Sequence, residues 1–511
     1  MVGLDWLVIG VYLAGTIGFG MVLSRKQDDL EDYYLGGRSI PWWAALMSMV
    51  ATEISAATFL GAPEQGYVRD MTYMQFSVGT IAARFVLAIL FLSAFYRFRV
   101  YTIYGFLTHR FGAPTRVVSA GVFLLGRIFA SGARLFIAAI AIQVATGLEM
   151  STSICLLGVV AIAYTLWGGI KAVVWTDVIQ AVVLLGGGLV AAASLLDQIP
   201  LSLGQTVDFL AAADKFKVFD LSWETGAGGW AALVNPYHVL PAVVGGFFLT
   251  MATHGTDHDM VQRLLTCRES AEGKRSLWMS GLVGVGVTLL FLAVGQLLFV
   301  YVEHLPIGHP LAQTAAQLKS EGHNGHFFLH YIVDVLPAGI TGLVLAAVFA
   351  AAMSSLDSAM SAMSATWVTD FYQPYFRPGA SQEHYLRVSR WSTAVIGVLL
   401  VGMALVVAAY YRANPQTDLL SIALGVMTFF YGALLGIFLV ALLSRRRGST
   451  LSNLVGALVS VALVFALKYW TPLAWPWFIV LGSLTAASIA LLGKTASAII
   501  TSYNAKEKEL A

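Results

Sequence analysis

The sequence has few charged residues and only two cysteines. Charged side chains make up 11% of its 511 residues, whereas 58% are hydrophobic. One soluble core of normal surface chemistry cannot hide so much apolar side chain, so the composition excludes a soluble enzyme and indicates a polytopic membrane protein. Cys155 lies in an apolar segment and Cys267 in a basic loop, and we therefore expect both to be free.

Other features are missing as well. No basic tract suggests a nucleic-acid partner, and no stretch has the composition of a soluble domain. The apolar residues 4–23 lack the basic leading region and the small-residue cleavage site of a signal peptide. We interpret them as a retained first transmembrane helix, and we expect one polytopic membrane domain over residues 1–511.

Apolar runs of about 20 residues, the length of helix that crosses a bilayer, occur along the whole chain. They predict an all-α integral membrane protein with about 13 transmembrane helices. We expect the polar insertions at about residues 196–236 and 304–330 to form short capping helices or lids. The predicted crossings are residues 5–24, 41–66, 72–96, 117–146, 151–168, 173–195, 237–257, 276–303, 331–366, 389–410, 418–443, 451–469 and 474–493.

Basic residues are unevenly divided between the two sets of alternate loops. The positive-inside rule then places the N terminus outside and the C terminus in the cytoplasm, in a plasma (inner) membrane. The poorer set contains Arg69, Lys215, Lys217, Lys319, Arg412 and Lys468. The richer set contains Arg25, Lys26, Arg38, Arg97, Arg99, Arg110, Arg116, Lys171, Arg263, Arg268, Lys274, Arg275, Arg377, Arg387, Arg390, Arg445, Arg446, Arg447, Lys494, Lys506 and Lys508.

Two crossings contain polar interruptions. Glu53 lies in the second crossing, where a charge costs about 3 kcal/mol without a partner, and residues 61–66 with Pro63 predict a break there. A proline kink near a helix end is the alternative. Residues 253–259 predict a second break. Paired broken helices expose carbonyl groups that can coordinate a cation, as in transporters built from inverted repeats.

Arg127 and Arg134 are seven residues apart and therefore lie on nearly the same face of the fourth predicted helix. A guanidinium that faces a cavity offers the paired donors that a carboxylate needs. We expect at least one of the two to bind an anion. In the alternative, Arg127 reaches the inner surface or pairs with Glu53 or an internal aspartate.

Residues 345–365 combine membrane-like hydropathy with hydroxyl groups and a carboxylate. One face of this predicted helix carries small and hydroxylated residues, which suit either close helix packing or a site. Asp177, near the inner surface, either pairs with Lys171 or meets a cation on the inner side. The small face contains Ala347, Ala351, Ser354, Ser355, Ser358 and Ser361.

Four motifs in this order, DYYLGGRSIPWW, YTLWGGIKAVVWTDVIQ, GTDHDMVQRLL and AAMSSLDSAMSA, resemble the sodium:solute symporter family, which includes sugar, proline, monocarboxylate and sialic acid cotransporters. The resemblance implies a leucine-transporter-type fold of two five-helix inverted repeats. Here they would cover residues 41–195 and 237–443, with one helix before them and two more at residues 451–493.

The resemblance also implies site residues. A sodium ion would bind the carbonyl groups of Ala51, Ile54 and Ala351 and the hydroxyls of Ser354 and Ser355. A second cation site would comprise Asp177, Ser354, Asp357 and Ser358, with Asp357 where two-sodium members have a hydroxyl residue. The substrate-binding candidates are Glu53, Ser55, Thr58, Gln75, Arg127, Arg134, Thr253, His254 and Thr428.

We therefore predict a sodium-coupled symporter that imports a small polar solute by alternating access. An organic anion, such as a sugar acid, sialic acid or monocarboxylate, is the favoured substrate; a neutral sugar or an amino acid is the alternative. A cation channel, or an intramembrane enzyme using Ser354 or Ser355 with His254, is the rival class. The expected partners are the substrate, sodium and the lipid bilayer, with no protein partner evident.

Overall fold

The computed structural model describes residues 1–23, 29–166, 168–222, 231–306 and 308–509, and the regular structure in these ranges is helical. Arg25, Lys26 and parts of the two predicted insertions lie outside them. Cys155 and Cys267 are free, as predicted.

The first part of the chain forms α1 (Gly3–Leu23), α2 (Leu30–Leu35), α3 (Trp42–Glu53), α4 (Ala56–Val68), α5 (Gln75–Leu87), α6 (Ser93–Arg97), α7 (Ile103–Phe111), α8 (Ala113–Thr146), α9 (Met150–Thr165), α10 (Ile170–Gln198), α11 (Leu203–Ala212) and α12 (Ala231–Val234).

The second part forms α13 (Gly246–Gly255), α14 (His258–Leu265), α15 (Ser270–Glu303), α16 (Pro310–Glu321), α17 (Phe327–Asp334), α18 (Ile340–Thr366), α19 (Gln382–Ala413), α20 (Leu419–Leu443), α21 (Thr450–Trp470), α22 (Pro476–Leu492) and α23 (Ser497–Glu509). Short 3-10 or π-helical turns lie at Gly36–Arg38, Thr72–Met74, Ala88–Leu92, Pro241–Gly245, Asn324–His326 and Trp367–Phe376. The helices α11 and α16 lie in the two polar insertions, where short helices are predicted.

In the described part of the chain, nine helical segments are long and apolar enough to cross a membrane. The number is ten if the bent pair α3–α4 is counted as one span. Two shorter apolar helices lie at Met150–Ala163 and Pro476–Leu492. Each predicted crossing overlaps helix, but the predicted crossing at residues 331–366 is divided between α17 and α18. The total of about 13 crossings stays a prediction.

The bent pair α3–α4 places the first break earlier than predicted. The two helices meet at 59° around Ile54 and Ser55, and Pro63 lies inside the continuous helix α4. The predicted interruption at residues 61–66 is wrong, because these residues are helical. Their glycines allow neighbouring helices to pack closely against this part of α4. A Cβ atom on Gly66 would lie 2.2 Å from the carbonyl oxygen of Leu292 on α15. Pro63 lacks an amide donor and therefore costs α4 one intrahelical hydrogen bond, yet the turns on both sides of it are helical.

The second break agrees with the prediction. Helix α13 ends at Gly255 and α14 begins at His258. The side chain of Asp257 caps α14 by accepting a hydrogen bond from the amide of Asp259 at 2.9 Å. A carboxylate at a helix N terminus is favoured by the free amides and by the helix dipole.

Helix α18 is the centre of the bundle. In its membrane-spanning stretch 89% of the residues are buried, against 17% for α1 at the periphery. Helix α18 packs against α10, α8, α1 and α3. The approach to α10 is close because a Cβ atom on Gly187 would lie 2.4 Å from Cβ of Ala347. The small face of α18 therefore does pack, and it also faces the first break.

Candidate transport site

The hydroxyl groups of α18 meet backbone carbonyls of α3 at the first break. Ser354 Oγ donates to the carbonyl oxygens of Ala51 at 2.8 Å and Ala351 at 3.2 Å. Ser355 Oγ donates to those of Thr52 at 3.3 Å and Ala351 at 3.2 Å. Four members of the predicted sodium set thus lie together, in fully buried positions. Uncharged oxygens at this spacing are ligands that suit a hard cation.

A cavity of about 170 Å³ adjoins this oxygen cluster. Ile54, the fifth predicted sodium ligand, lines the cavity at the break. Five of the predicted substrate-binding residues also line it: Glu53, Thr58, Arg134, Thr253 and His254. The cavity and the oxygen cluster therefore share the segment that links α3 to α4.

Glu53 is held by two basic side chains in the cavity wall. Arg84 Nη2 lies 2.6 Å from Glu53 Oε2, and His254 Nε2 lies 2.8 Å from Oε1. Arg84 is buried and packs across Gly281, where a Cβ atom would lie 2.9 Å from its Cδ. Sequence reasoning missed Arg84, although a charge inside the third predicted crossing is the signal that singled out Glu53.

Arg134 lines the cavity with a guanidinium that is only partly hydrogen-bonded. Its Nε and Nη1 atoms are buried and have no hydrogen-bond partner among the described residues. Within the described ranges, the Nη2 atom donates to the sulfur of Met427, at 3.9 Å, which is a weak acceptor. Buried polar groups nearly always have a partner, so this guanidinium is arranged to meet something that enters the cavity.

The comparisons with known proteins agree with this geometry. The model of the sodium:solute symporter family matches residues 33–462. The chain belongs to this family. Sodium is accordingly its coupled ion, and membership sets aside the channel and intramembrane-enzyme alternatives.

Relatives of this symporter are similar over most of their length. The sodium/sialic acid symporter SiaT of Proteus mirabilis (strain HI4320) is 26% identical, over 94% of this chain and 93% of the relative. The sodium-coupled monocarboxylate transporter 1 of Homo sapiens is 27% identical, over 90% of this chain and 70% of the relative.

A solved structure of a Na⁺-coupled sialic acid symporter, in a substrate-bound outward-open state, superposes with a TM-score of 0.82. It is 25% identical in sequence, and the match covers 96% of this chain and 97% of that one. The all-α, leucine-transporter-type fold expected for this symporter is confirmed.

Arg127 of the symporter lies behind the cavity wall rather than in it. Its Nη1 atom is 2.8 Å from Asp257 Oδ2, and its Nη2 atom contacts Asp259. Tyr431 also donates to Asp257, at 2.7 Å. All four side chains are fully buried. Pairing with an internal aspartate, the alternative interpretation of Arg127, is therefore the arrangement observed, and substrate contact by Arg127 stays without structural support.

A second buried arginine extends this cluster toward the predicted second cation site. Arg263 Nη1 lies 2.8 Å from Asp259 Oδ1, and Nη2 lies 3.3 Å from Asp177 Oδ2. Asp177 also accepts from Ser48 Oγ at 2.5 Å. Lys171, the partner considered for Asp177, contacts Asp32 instead. Arg263 is assigned to a loop by the sequence pattern, although its position four residues after Asp259 indicates an ion pair on one helix face.

The remaining members of the second site lie on one turn of α18. The amide of Ser358 donates to Asp357 Oδ1 at 2.5 Å, and Ser358 Oγ donates to the carbonyl oxygen of Ser354 at 2.7 Å. All are buried. Whether this turn and Asp177 share a cation stays a prediction.

Three other substrate candidates are buried outside the cavity lining. Ser55 begins α4 at the break. Gln75 Nε2 donates to the carbonyl oxygens of Thr72 at 2.8 Å and Tyr237 at 2.9 Å. Thr428 Oγ1 donates to the carbonyl oxygen of Gly425 on its own helix at 2.6 Å. The side chains of Gln75 and Thr428 have a structural role in these contacts.

Proposed function

We propose that the symporter imports a small organic monoanion together with sodium, and that Arg134 binds the carboxylate. The observation that carries this proposal is the guanidinium of Arg134, which lines the cavity while its Nε and Nη1 atoms have no hydrogen-bond partner among the described residues. A planar guanidinium binds a carboxylate through two parallel hydrogen bonds, here from Nη2 together with either Nη1 or Nε, because the contact of Nη2 with the Met427 sulfur is weak.

The other charges around the cavity support an anion over an amine. Both oxygens of Glu53 are engaged, by Arg84 and His254, and Asp257 is engaged by Arg127. An ammonium group would have to compete with these partners for a carboxylate. An amino acid substrate is therefore less well supported than a sugar acid or a monocarboxylate.

The relatives support the same class of substrate. Sialic acid and monocarboxylates, the solutes named for the relatives from Proteus mirabilis and Homo sapiens, both carry one carboxylate. Hydroxyl groups of Thr58, Thr80, Thr250 and Thr253 line the same cavity and could bind hydroxyl or amide groups of a sugar acid. A small monocarboxylate has fewer polar groups and therefore needs fewer of these hydroxyl groups.

Coupling follows from the shared break. Sodium at Ser354 and Ser355 links α18 to α3, and the same break presents Glu53 and Ile54 to the substrate. Each ligand then favours the same conformation, with a reciprocal coupling free energy of about 1–3 kcal/mol. Tilting of α18 away from α3 opens the sodium site for inward release.

The proposal includes the orientation of the symporter in the membrane and the extent of its inverted repeats. The N terminus lies outside and the C terminus in the cytoplasm of a plasma (inner) membrane, because the basic loops lie on one side. The inverted repeats cover residues 41–195 and 237–443, with two further helices at residues 451–493. Cysteine labelling of single loops from each side of the membrane tests the orientation.

The test of the substrate class is a binding screen in sodium and in potassium. Purified symporter in nanodiscs is incubated with N-acetylneuraminate, pyruvate, glucose or proline, and the thermal shift is measured. We expect a sodium-dependent shift with one of the two carboxylates. For that ligand, R134Q should weaken binding about 10- to 100-fold, because a hydrogen bond to a charged group contributes about 1.5–3 kcal/mol.

Two variants control for charge. R134K keeps the charge and loses the paired donors, so its affinity should lie between those of the wild type and R134Q. Arg412→Gln removes the same charge from an exposed position and should bind as the wild type does. If R134Q binds the carboxylate with wild-type affinity, the assignment of Arg134 is wrong; if glucose or proline is the only ligand, the anion proposal is wrong.

A further inference from the structure

A second cavity, of about 300 Å³, opens on the membrane-facing side of the helices α19, α20, α21 and α22. We propose that this cavity binds one anionic phospholipid, with an acyl chain in its aromatic slot and the phosphate at Lys468. None of the residues assigned to sodium or substrate lines this cavity, and the proposal does not depend on which substrate is carried.

The deep part of the cavity is apolar and accessible from the bilayer. Val406 is 59% exposed and Phe465 37% exposed at its mouth. Aromatic rings form the walls: Phe429 and Phe465 lie 4.7 Å apart, and Phe129 and Phe430 lie 5.4 Å apart. From Ser421 to Phe429 the slot follows α20 for about 12 Å. That length accommodates a substantial part of an acyl chain.

The shallow part of the cavity has the chemistry of a membrane interface. Lys468 lies in the last turn of α21, is exposed, and makes no ion pair within the described ranges. Tyr469 and Trp470 follow it, with 74% and 83% exposure, as aromatic residues at a membrane interface do. Ser421 lies at the same end of the lining. Lys468 belongs to the loops proposed to lie outside, and a lysine there binds a lipid phosphate as a point charge.

The cavity shares a wall with the transport site. Trp475 lines it and stacks on Phe76, with ring centroids 5.6 Å apart and planes 6° apart. Phe76 in turn lines the transport cavity. On α20, Phe429 faces the lipid cavity and Met427 the transport cavity. A bound acyl chain therefore supports residues that line the transport cavity.

The experiment measures lipid retention by the full-length symporter. The protein is reconstituted with phosphatidylglycerol or with phosphatidylcholine, washed in detergent, and examined by native mass spectrometry. We expect one retained phosphatidylglycerol and weaker retention of phosphatidylcholine. K468Q should lower the retention of phosphatidylglycerol about fivefold, which is the effect of one lysine–headgroup contact. V406W, which fills the mouth, should abolish it.

Matched variants separate this cavity from general effects. K319Q removes an exposed lysine of α16, and V398W places the same ring about two turns away on α19; both should retain the lipid. V406W, unlike V398W, should also change the substrate concentration for half-maximal uptake. Equal retention of the two lipids, or wild-type retention by K468Q and V406W, would overturn the proposal.

Discussion

The two serines Ser354 and Ser355 each bridge α18 and the carbonyl end of α3. A hydroxyl can both donate to a carbonyl and accept from, or coordinate, another group, so the pair can hold a cation without contributing charge. A neutral donor set binds a monovalent ion weakly enough to release it, which a transport cycle requires.

Replacing Ser354 or Ser355 by Ala tests this assignment. Each substitution removes one of about five oxygen ligands, and we expect the sodium concentration for half-maximal uptake to rise at least tenfold, with the substrate affinity at saturating sodium changed less. Sodium titrations of uptake into proteoliposomes measure both. S361A is the control, because the hydroxyl of Ser361 on the same helix has no hydrogen-bond partner in the described part of the chain. Unchanged sodium dependence in both variants would contradict the site.

The two arginines of α8 show what a sequence can predict about single residues. Their spacing places Arg127 and Arg134 on one helix face, and both indeed face the protein interior. Their positions differ by about 10 Å along the helix axis. This difference determines which residues each arginine contacts. Arg127 meets the carboxylates of α14, whereas Arg134 meets the cavity. Periodicity predicts the face, while the partners come from elements distant in sequence.

At the level of helices, glycines set how closely the broken helix α4 approaches α15. A Cβ atom on Gly295 would lie 2.1 Å from the carbonyl oxygen of Pro63, and one on Gly66 would meet Leu292. These contacts join the C-terminal half of the first broken span to a neighbouring helix. They hold α4 in place while α3 and α18 surround the sodium site.

A matched pair of glycines on α15 tests this packing. G295A should lower the apparent melting temperature, because overpacking of a tight contact costs about 1–3 kcal/mol. G286A is the control: nothing lies within 4 Å of a Cβ atom there, and alanine favours helix. Fluorescence-detected thermal unfolding in detergent compares the two. A melting temperature for G295A equal to that of G286A would show that α4 and α15 can separate without cost.

The breaks show how far local sequence determines a helix. A break in the second crossing is predicted from its polar and glycine-rich sequence, but it lies at Ile54 and Ser55 rather than at Pro63. Proline and glycine are local signals, whereas the true break is stabilised by Ser354 and Ser355 of a distant helix. The second break is predicted correctly because its signal is local: the polar segment contains Asp257, whose side chain caps α14.

Across the whole molecule, buried polar contacts connect the transport cavity to the sodium site. Asp257 lines the cavity and binds Arg127; Asp259 joins Arg127 to Arg263. Arg263 Nη2 then donates to Thr52 Oγ1 at 2.6 Å. The carbonyl oxygen of Thr52 accepts from Ser355. The proposed substrate and sodium sites are therefore linked by one connected group of side chains. The sequence alone singles out Arg127 and the polar segment 253–259, but not Thr52, the role of Arg263 or the connection.

T52V should weaken the coupling between sodium and substrate while leaving both sites in place. Valine has the shape of threonine without its hydroxyl, so the contact to Arg263 is lost, whereas the carbonyl group that faces Ser355 is kept. Sodium raises substrate affinity by about 5- to 150-fold for a typical coupling free energy, and T52V should reduce this factor about fivefold. Isothermal titration of the carboxylate substrate with and without sodium measures the factor. T176V serves as the control, since the hydroxyl of Thr176 bonds, as far as the structure describes the chain, to carbonyl groups of its own helix. If T52V and T176V keep the same factor as the wild type, coupling runs through the break between α3 and α4 rather than through the buried charges.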